Sequence, residues 1–337
     1  MRALVLRSPG DLRLEELDTP KPGEGWLRLA VRRVGICGTD KALYSGSYGA
    51  RKLPIVLGHE ISGEVVELGE GVSESLMGSR VTTEINVSCN DCWFCRSGIK
   101  EHCLRREVIG ISLDGGMAEY LLTREDLVHR IDGLSWQQGA FVEPLAAVLK
   151  PFIMRPPEPL SSIAVVGVGT VGLLSIQVAK IYEPERLVAI YRSEGRKVEL
   201  AERYGAEPMR LEEAIELKRE VNGGAGFDLV IEATGSPNGL DAALSLIRAR
   251  GTIFAKSTHG ESVCFDYTRA VVSEVSIIGS RCGPFRQAIE LLRRGRVSVD
   301  ELVTSVYPLK EGAEALRSSF ERDQIKVQIE VSKGSCT

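Results

Sequence analysis

Apolar and polar residues alternate in short runs over residues 1–145, and the runs are broken by Gly and Pro. Residues 26–31 and 61–68 carry this period of two, which predicts half-buried strands and a mostly β first domain, and residues 1–6 read as a first strand. Pro151, Pro156, Pro157 and Pro159 fall within ten residues, and this segment reads as a junction. From Ser161 the period changes. Predicted strands at 163–166, 186–191, 227–233, 251–255 and 276–279 alternate with predicted helices at 172–181, 197–204 and 240–247. Strands spaced by helices imply right-handed crossovers and an α/β fold built on a doubly wound parallel Rossmann sheet. A helix at 285–294 and a strand at 326–331 follow.

A chain of 337 residues is long for one core, so two domains are expected. The net charge of −4 comes with no basic arm, which argues against nucleic acid as a partner. Residues 161–179 carry no charge, a stretch close to transmembrane length. Gly167, Gly169, Gly172 and Gln177 interrupt it, and it reads as a buried strand, a turn and a helix start, with no membrane span. The first residues read as a strand and not as a secretory signal. Five of the eight cysteines stand in metal-ligand contexts, so reduced thiols in a cytoplasmic protein are expected over a disulfide framework.

Gly167, Gly169 and Gly172 form G-x-G-x-x-G, with Thr170 and Val171 inside it, after an apolar strand and at a helix start. That context is the one a dinucleotide pyrophosphate requires: a tight turn, close backbone approach and a helix N-terminus facing the phosphates. An acidic residue about 20 positions on would accept the ribose 2′-hydroxyl. Arg192 stands there instead, with Arg196 and Lys197 nearby. A cation cannot accept that bond but pairs with a 2′-phosphate, which favours NADP over NAD. The alternative is a solvated Arg192 in an NAD site, with Glu194 as substitute acceptor.

Cys89, Cys92, Cys95 and Cys103 place four thiols in one short segment whose Asn90, Asp91, Ser97 and Gly98 supply turns. This spacing suits one tetrahedral structural Zn²⁺ with a closed coordination sphere; an unmetallated lobe or an iron–sulfur cluster are the alternatives. His102 reads as a neighbour and not a ligand, and Trp93 as a cover over the metal or part of a substrate cleft.

Cys37-Gly38-Thr39-Asp40 and Gly58-His59-Glu60 lie in the first domain, where a Cys and a His so spaced are by themselves unremarkable. Their company matters. Together with the four-cysteine lobe, residues 115–120, Val142 to Ala146, the glycine loop and residues 279–283, in this order, the sequence resembles the zinc-containing medium-chain alcohol, polyol and sugar dehydrogenases over nearly its whole length. The resemblance implies a GroES-like catalytic domain and a second, catalytic Zn²⁺ bound by Cys37, His59 and Glu143. It also implies Asp40 as orienter of His59, and Glu60 either behind the ligands or able to swing in. Bound Zn²⁺ lowers the pKa of water from 15.7 to about 7 and should acidify an alcohol similarly. Thr39 would then take the hydroxyl proton while hydride passes from the carbinol carbon to the nicotinamide. Thr234 joins the glycine loop as an expected cofactor contact.

Two positions depart from the family pattern. Ala42 stands where many relatives place a relay His, which leaves the proton path beyond Thr39 unassigned. Lys150 stands where polyol-type relatives often carry His. With Glu143 and Arg192, these positions lean towards microbial glucose dehydrogenases. The expected domains are 1–145 and 282–337 for the catalytic part and 146–281 for the dinucleotide part, with substrate and cofactor meeting in the cleft. A small alcohol or sugar is the expected substrate, and a homodimer or homotetramer the expected assembly. The rivals are an NAD-dependent secondary-alcohol or threonine-type dehydrogenase, a zinc-free reductase and a non-catalytic dinucleotide-binding protein. His129 and His259 read as structural or surface residues. Cys264, Cys282 and Cys336 read as free thiols, and Glu119 as structural or substrate-facing.

Overall fold

The structure is a computed structural model that describes residues 1–49, 52–258 and 260–332. The expectations for His259 and Cys336 lie outside the described residues. The chain forms two compact units. The first comprises residues 1–143, 285–293 and 298–337, and the second residues 144–284 and 294–297.

The first unit is mostly β. Its largest sheet is centred on Trp26–Gly35, which pairs antiparallel with Glu60–Leu68, with Tyr120–Arg124 and with the C-terminal strand Lys326–Glu330. The burial of Trp26–Gly35 alternates, with Leu27, Leu29 and Val31 fully buried, as the period of two predicts. Arg2–Ser8, Asp11–Glu16 and Ile55–Val56 form a smaller sheet.

The second unit is a six-stranded, all-parallel sheet. Its order is Glu207–Met209, Arg186–Ile190, Ser162–Val166, Phe227–Glu232, Ile247–Ala255 and Ser276–Gly279. Numbered within the unit this is 3-2-1-4-5-6, the doubly wound dinucleotide-binding order. Every residue of Ser162–Val166 is buried, as is most of the helix Thr170–Lys180, which explains the charge-free stretch. No helix among the described residues is long and apolar enough to cross a membrane.

Three elements differ from the sequence reading. The strand Glu207–Met209 shows no apolar alternation and contains Pro208; it survives because it is an edge strand, where a missing N–H breaks no central ladder. The predicted strand at 251–255 begins earlier, at Ile247, and absorbs Arg250 in a left-handed conformation. Finally, the proline-rich junction is not a break at its first proline. A helix runs Val142–Met154 with Pro151 inside it, and the two units divide between Glu143 and Pro144.

Candidate active site

Antiparallel register brings Cys37 and His59 together. Gly35 faces Glu60 across the sheet, so the residues just after one strand and just before the other are neighbours. Cys37 then precedes the helix Gly38–Ser45. Asp40, fully buried in the first turn of that helix, ties both segments. Its Oδ2 accepts from Cys37 N at 2.8 Å and its Oδ1 from Gly58 N at 3.1 Å. Thr39 is half-buried beside it.

His59 is buried, and its Nδ1 stands 3.5 Å from Asp40 Oδ1. That is an ion-pair distance without hydrogen-bond geometry, so Nδ1 has no hydrogen-bond partner. Burial opposes a charged ring here, but the Asp40 carboxylate and Cys37 outweigh it and raise the His59 pKa well above the ordinary histidine range. The pocket therefore favours a cation at His59, as a metal site does. A thiol beside an imidazole whose other nitrogen faces a buried carboxylate is also a fitting zinc donor set.

Glu60 and Lys326 form a buried ion pair below the site. Lys326 Nζ donates to Glu60 Oε1 and Oε2 at 2.7 and 2.6 Å, and to Ile36 O at 3.1 Å. Gly35 makes room for this carboxylate, since a Cβ there would lie 2.1 Å from Glu60 Oε2. Lys326 reaches the site because Lys326–Glu330 pairs with the end of Trp26–Gly35. The sequence assigns it to a strand and gives it no role; in the alternating run Lys-Val-Gln-Ile-Glu it falls on the polar phase, so the sequence carries no signal of its burial. Glu143 is buried in the first turn of Val142–Met154. It does not pack with Cys37 and His59 as tightly as the thiols of the cysteine lobe pack with one another. Among the described residues, only Cys89, Cys92, Cys95 and Cys103 bring three or more potential ligand atoms all within 4.8 Å.

Those four sulfurs have the dimensions of a metal site. Cys89 and Cys95 are 3.9 Å apart, Cys92 and Cys95 3.5 Å, and Cys89 and Cys103 3.4 Å. A tetrahedron with Zn–S of about 2.3 Å has edges of about 3.8 Å. Backbone N–H groups of Cys92 and Arg105 donate to Cys89 and Cys103 Sγ. The Asp91 N–H, the Arg105 side chain and the Cys92 N–H lower Cys89 to about 5. Burial, followed by the neighbouring sulfurs, pushes Cys95 up to about 11. His102 lies outside the cluster, as expected. Trp93 is 64% exposed and packs edge-on to Phe94.

In the second unit, Gly167 adopts φ +102°, and a Cβ on Gly172 would lie 1.8 Å from Gly167 O, so this turn admits only glycine at both positions. Gly169 caps the helix Thr170–Lys180, with Thr170 and Val171 opening it. Arg192 is exposed just beyond Arg186–Ile190, and Arg196 and Lys197 open the helix Arg196–Arg203. Glu194 is engaged: Tyr191 OH donates to its Oε1 at 2.6 Å and Arg210 approaches at 3.4 Å. Thr234 spends its hydroxyl on Glu232 Oε1 at 2.6 Å. Glu232, buried and overlooked in the sequence, also accepts from Ser257 Oγ at 2.6 Å, which joins the loops after two adjacent strands. His129 is structural, bonded to Glu84 and stacked on Phe285. Glu119 is held by Arg2.

Comparison with known proteins agrees with this geometry. Residues 23–133 match the alcohol dehydrogenase GroES-like domain and residues 170–294 the zinc-binding dehydrogenase family. D-arabitol-phosphate dehydrogenase of Enterococcus avium is 32% identical over 98% of this chain and 97% of its own length. A Sinorhizobium meliloti 1021 protein described as a zinc-binding dehydrogenase, solved bound to NADP, superposes with a TM-score of 0.89 at 30% identity, covering 98% of this chain and 99% of that one. An Escherichia coli CFT073 alcohol dehydrogenase complexed with NADH gives a TM-score of 0.90 at 26% identity, with coverage of 98% and 99%. The chain is an oxidoreductase that belongs to the zinc-containing medium-chain alcohol and polyol dehydrogenase family and works with zinc and a nicotinamide cofactor.

Proposed function

We propose that this enzyme oxidises a secondary hydroxyl of a polyol or sugar to the carbonyl, reversibly, with NADP as redox partner and two zinc ions per chain. The observation that carries the reading is the buried Cys37–Asp40–His59 arrangement. Cys37, His59 and Glu143 would hold the catalytic ion, and Cys89, Cys92, Cys95 and Cys103 the structural one. Zinc, when bound, supplies the Lewis acidity that makes a substrate hydroxyl acidic near neutral pH. The dinucleotide supplies the redox chemistry.

The chain's own residues do the rest. Asp40 ties the backbone at Cys37 to that of Gly58, just before His59, and faces the His59 ring at ion-pair distance, so both donors are brought together before any ligand arrives. Thr39 Oγ1 would accept the substrate hydroxyl proton while passing its own proton on towards solvent. Glu60 stays paired to Lys326, behind the donors. Gly167, Gly169, Thr170, Val171 and Gly172 cradle the pyrophosphate at a helix N-terminus, and Thr234 borders it. Arg192, with Arg196 and Lys197, meets the ribose 2′-phosphate. Arg192 in place of an acidic residue supports NADP, because a guanidinium pairs with a 2′-phosphate and cannot accept a ribose hydroxyl bond. A polyol substrate is supported by the arabitol-phosphate relative.

The reading extends to a homo-oligomer in the cytoplasm. Ser276–Gly279 is the last strand of its sheet and largely exposed, next to exposed Tyr267 and Val272. Two such edges can pair about a two-fold axis into a closed dimer, itself able to double into a tetramer.

A panel of polyols, aldoses, polyol phosphates, 3-hydroxy amino acids and simple secondary alcohols, run with NADP and NAD and followed by absorbance of the reduced nicotinamide, tests the proposal. Turnover of polyols or sugars with NADP, abolished by chelation and restored by zinc, is expected. Full turnover in thoroughly demetallated protein would overturn it.

A further inference from the structure

The helix Val142–Met154 carries Glu143 in its first turn and Pro151 in its interior. In an α-helix the N–H of residue 151 would donate to the carbonyl of Ala147, and proline has no N–H. That acceptor is served from outside the helix: Lys256 Nζ donates to Ala147 O at 2.8 Å. The same ammonium donates to Ser280 O at 3.1 Å and to Ser280 Oγ at 3.0 Å. Lys256 directly follows Ile247–Ala255 and Ser280 directly follows Ser276–Gly279, so one cation joins two strand ends to the proline-containing helix. A second contact lies one carbonyl earlier. A Cβ on Gly283 would stand 1.7 Å from Ala146 O, so the backbone there lies directly against the helix.

We propose that Lys256 is a positioning residue for the metal site. By serving the acceptor that Pro151 orphans, it fixes the helical turn between Glu143 and Ala147, and with it the direction in which the Glu143 carboxylate is presented. Without that donor, the turn before the proline is a hinge. The inference rests on Glu143 being a zinc ligand, as in the proposed function.

The test is zinc release from the holoenzyme to a chelating dye, with Cys103→Ser used to identify the phase that belongs to the cysteine lobe. Lys256→Met is expected to speed release of the other zinc by roughly tenfold, the lower end of the effect on affinity of removing a group bonded directly to a metal ligand, since Lys256 acts one helical turn away. The lobe phase should not change. Pro151→Ala returns a backbone N–H to Ala147, so adding it to Lys256→Met should restore slow release. Lys256→Gln, which keeps one donor of shorter reach, should fall between and covers the case in which the methionine variant folds poorly. Equal acceleration of both phases, or no rescue by Pro151→Ala, would overturn the inference. Glu143→Ala separates the two levels. If it leaves zinc release unchanged, the ligand assignment itself fails. If it speeds release while Lys256→Met does not, only the role of Lys256 fails.

Discussion

The cysteine lobe and the Cys37–His59 site are both suited to zinc, but the chain assembles them over different ranges. All four lobe donors lie between residues 89 and 103, and short turns alone bring their sulfurs to 3.4–3.9 Å. The other, as proposed, would draw on residues 37, 59 and 143, and residues 40, 60 and 326 brace its surroundings. It exists only once three strands have paired in register. A local site reports on one loop, whereas a distributed site reports on the whole catalytic unit. Disturbing the lobe should therefore leave the second site's chemistry intact until the unit unfolds, and disturbing the second site should leave the lobe loaded.

The largest break in that comparison is His59→Ala. Turnover should fall to background, and metal analysis should find about one zinc per chain, held by the four thiols, in place of about two. Loss of both ions would show that the sites are not independent. Next comes Lys326→Met, which leaves the Glu60 carboxylate buried without its partner. Breaking a buried pair in this way costs roughly 3–5 kcal/mol, measurable by urea unfolding. Adding Glu60→Gln should recover much of that loss, and a near-neutral single variant would mean the pair is solvated.

The same contrast explains what the sequence made legible. Signals of short range were sufficient for the lobe, for the glycine turn at Gly167 and for the strand–helix alternation, because each depends on neighbours within one or two turns. Long-range partners left no such trace. Lys326 meets Ile36 O only through strand pairing, Glu232 finds Ser257 only through the parallel sheet, and Lys256 finds Ala147 only because Pro151 leaves that carbonyl unserved. The helix through Pro151 was misread for the same reason. Proline reads as a breaker locally, and the donor that compensates for it lies more than a hundred residues later.

A smaller effect is expected in the dinucleotide unit. Arg192→Asp should move the ratio of kcat/KM values for NADP and NAD towards NAD by about tenfold or more, the equivalent of one charge-assisted contact of about 1.4 kcal/mol. An unchanged ratio would remove that guanidinium from the 2′-phosphate reading.

The mildest effect is pH dependence. In metal-free protein His59 holds its proton well above the ordinary range, and zinc takes only the neutral ring. Zinc affinity at this site should therefore climb by up to about tenfold per pH unit, and go on climbing above the ordinary histidine value of about 6.5. The stability of the metal-free protein should move the other way. The contribution of protonated His59 is fully present below that unfolded-state value and is lost as pH rises through the raised folded one. Chelator competition and urea unfolding across a pH series check the two slopes, and flat profiles would contradict the raised value.

The central claim is that two sites of different donor chemistry coexist in one chain. X-ray absorption of the fully loaded protein tests it most directly, because it counts sulfurs around zinc. One four-sulfur site and one single-sulfur site predict about two zinc ions per chain with an average of about 2.5 sulfur neighbours each. About one zinc per chain, surrounded by four sulfurs, would contradict the claim and leave the Cys37–His59 pocket without its metal.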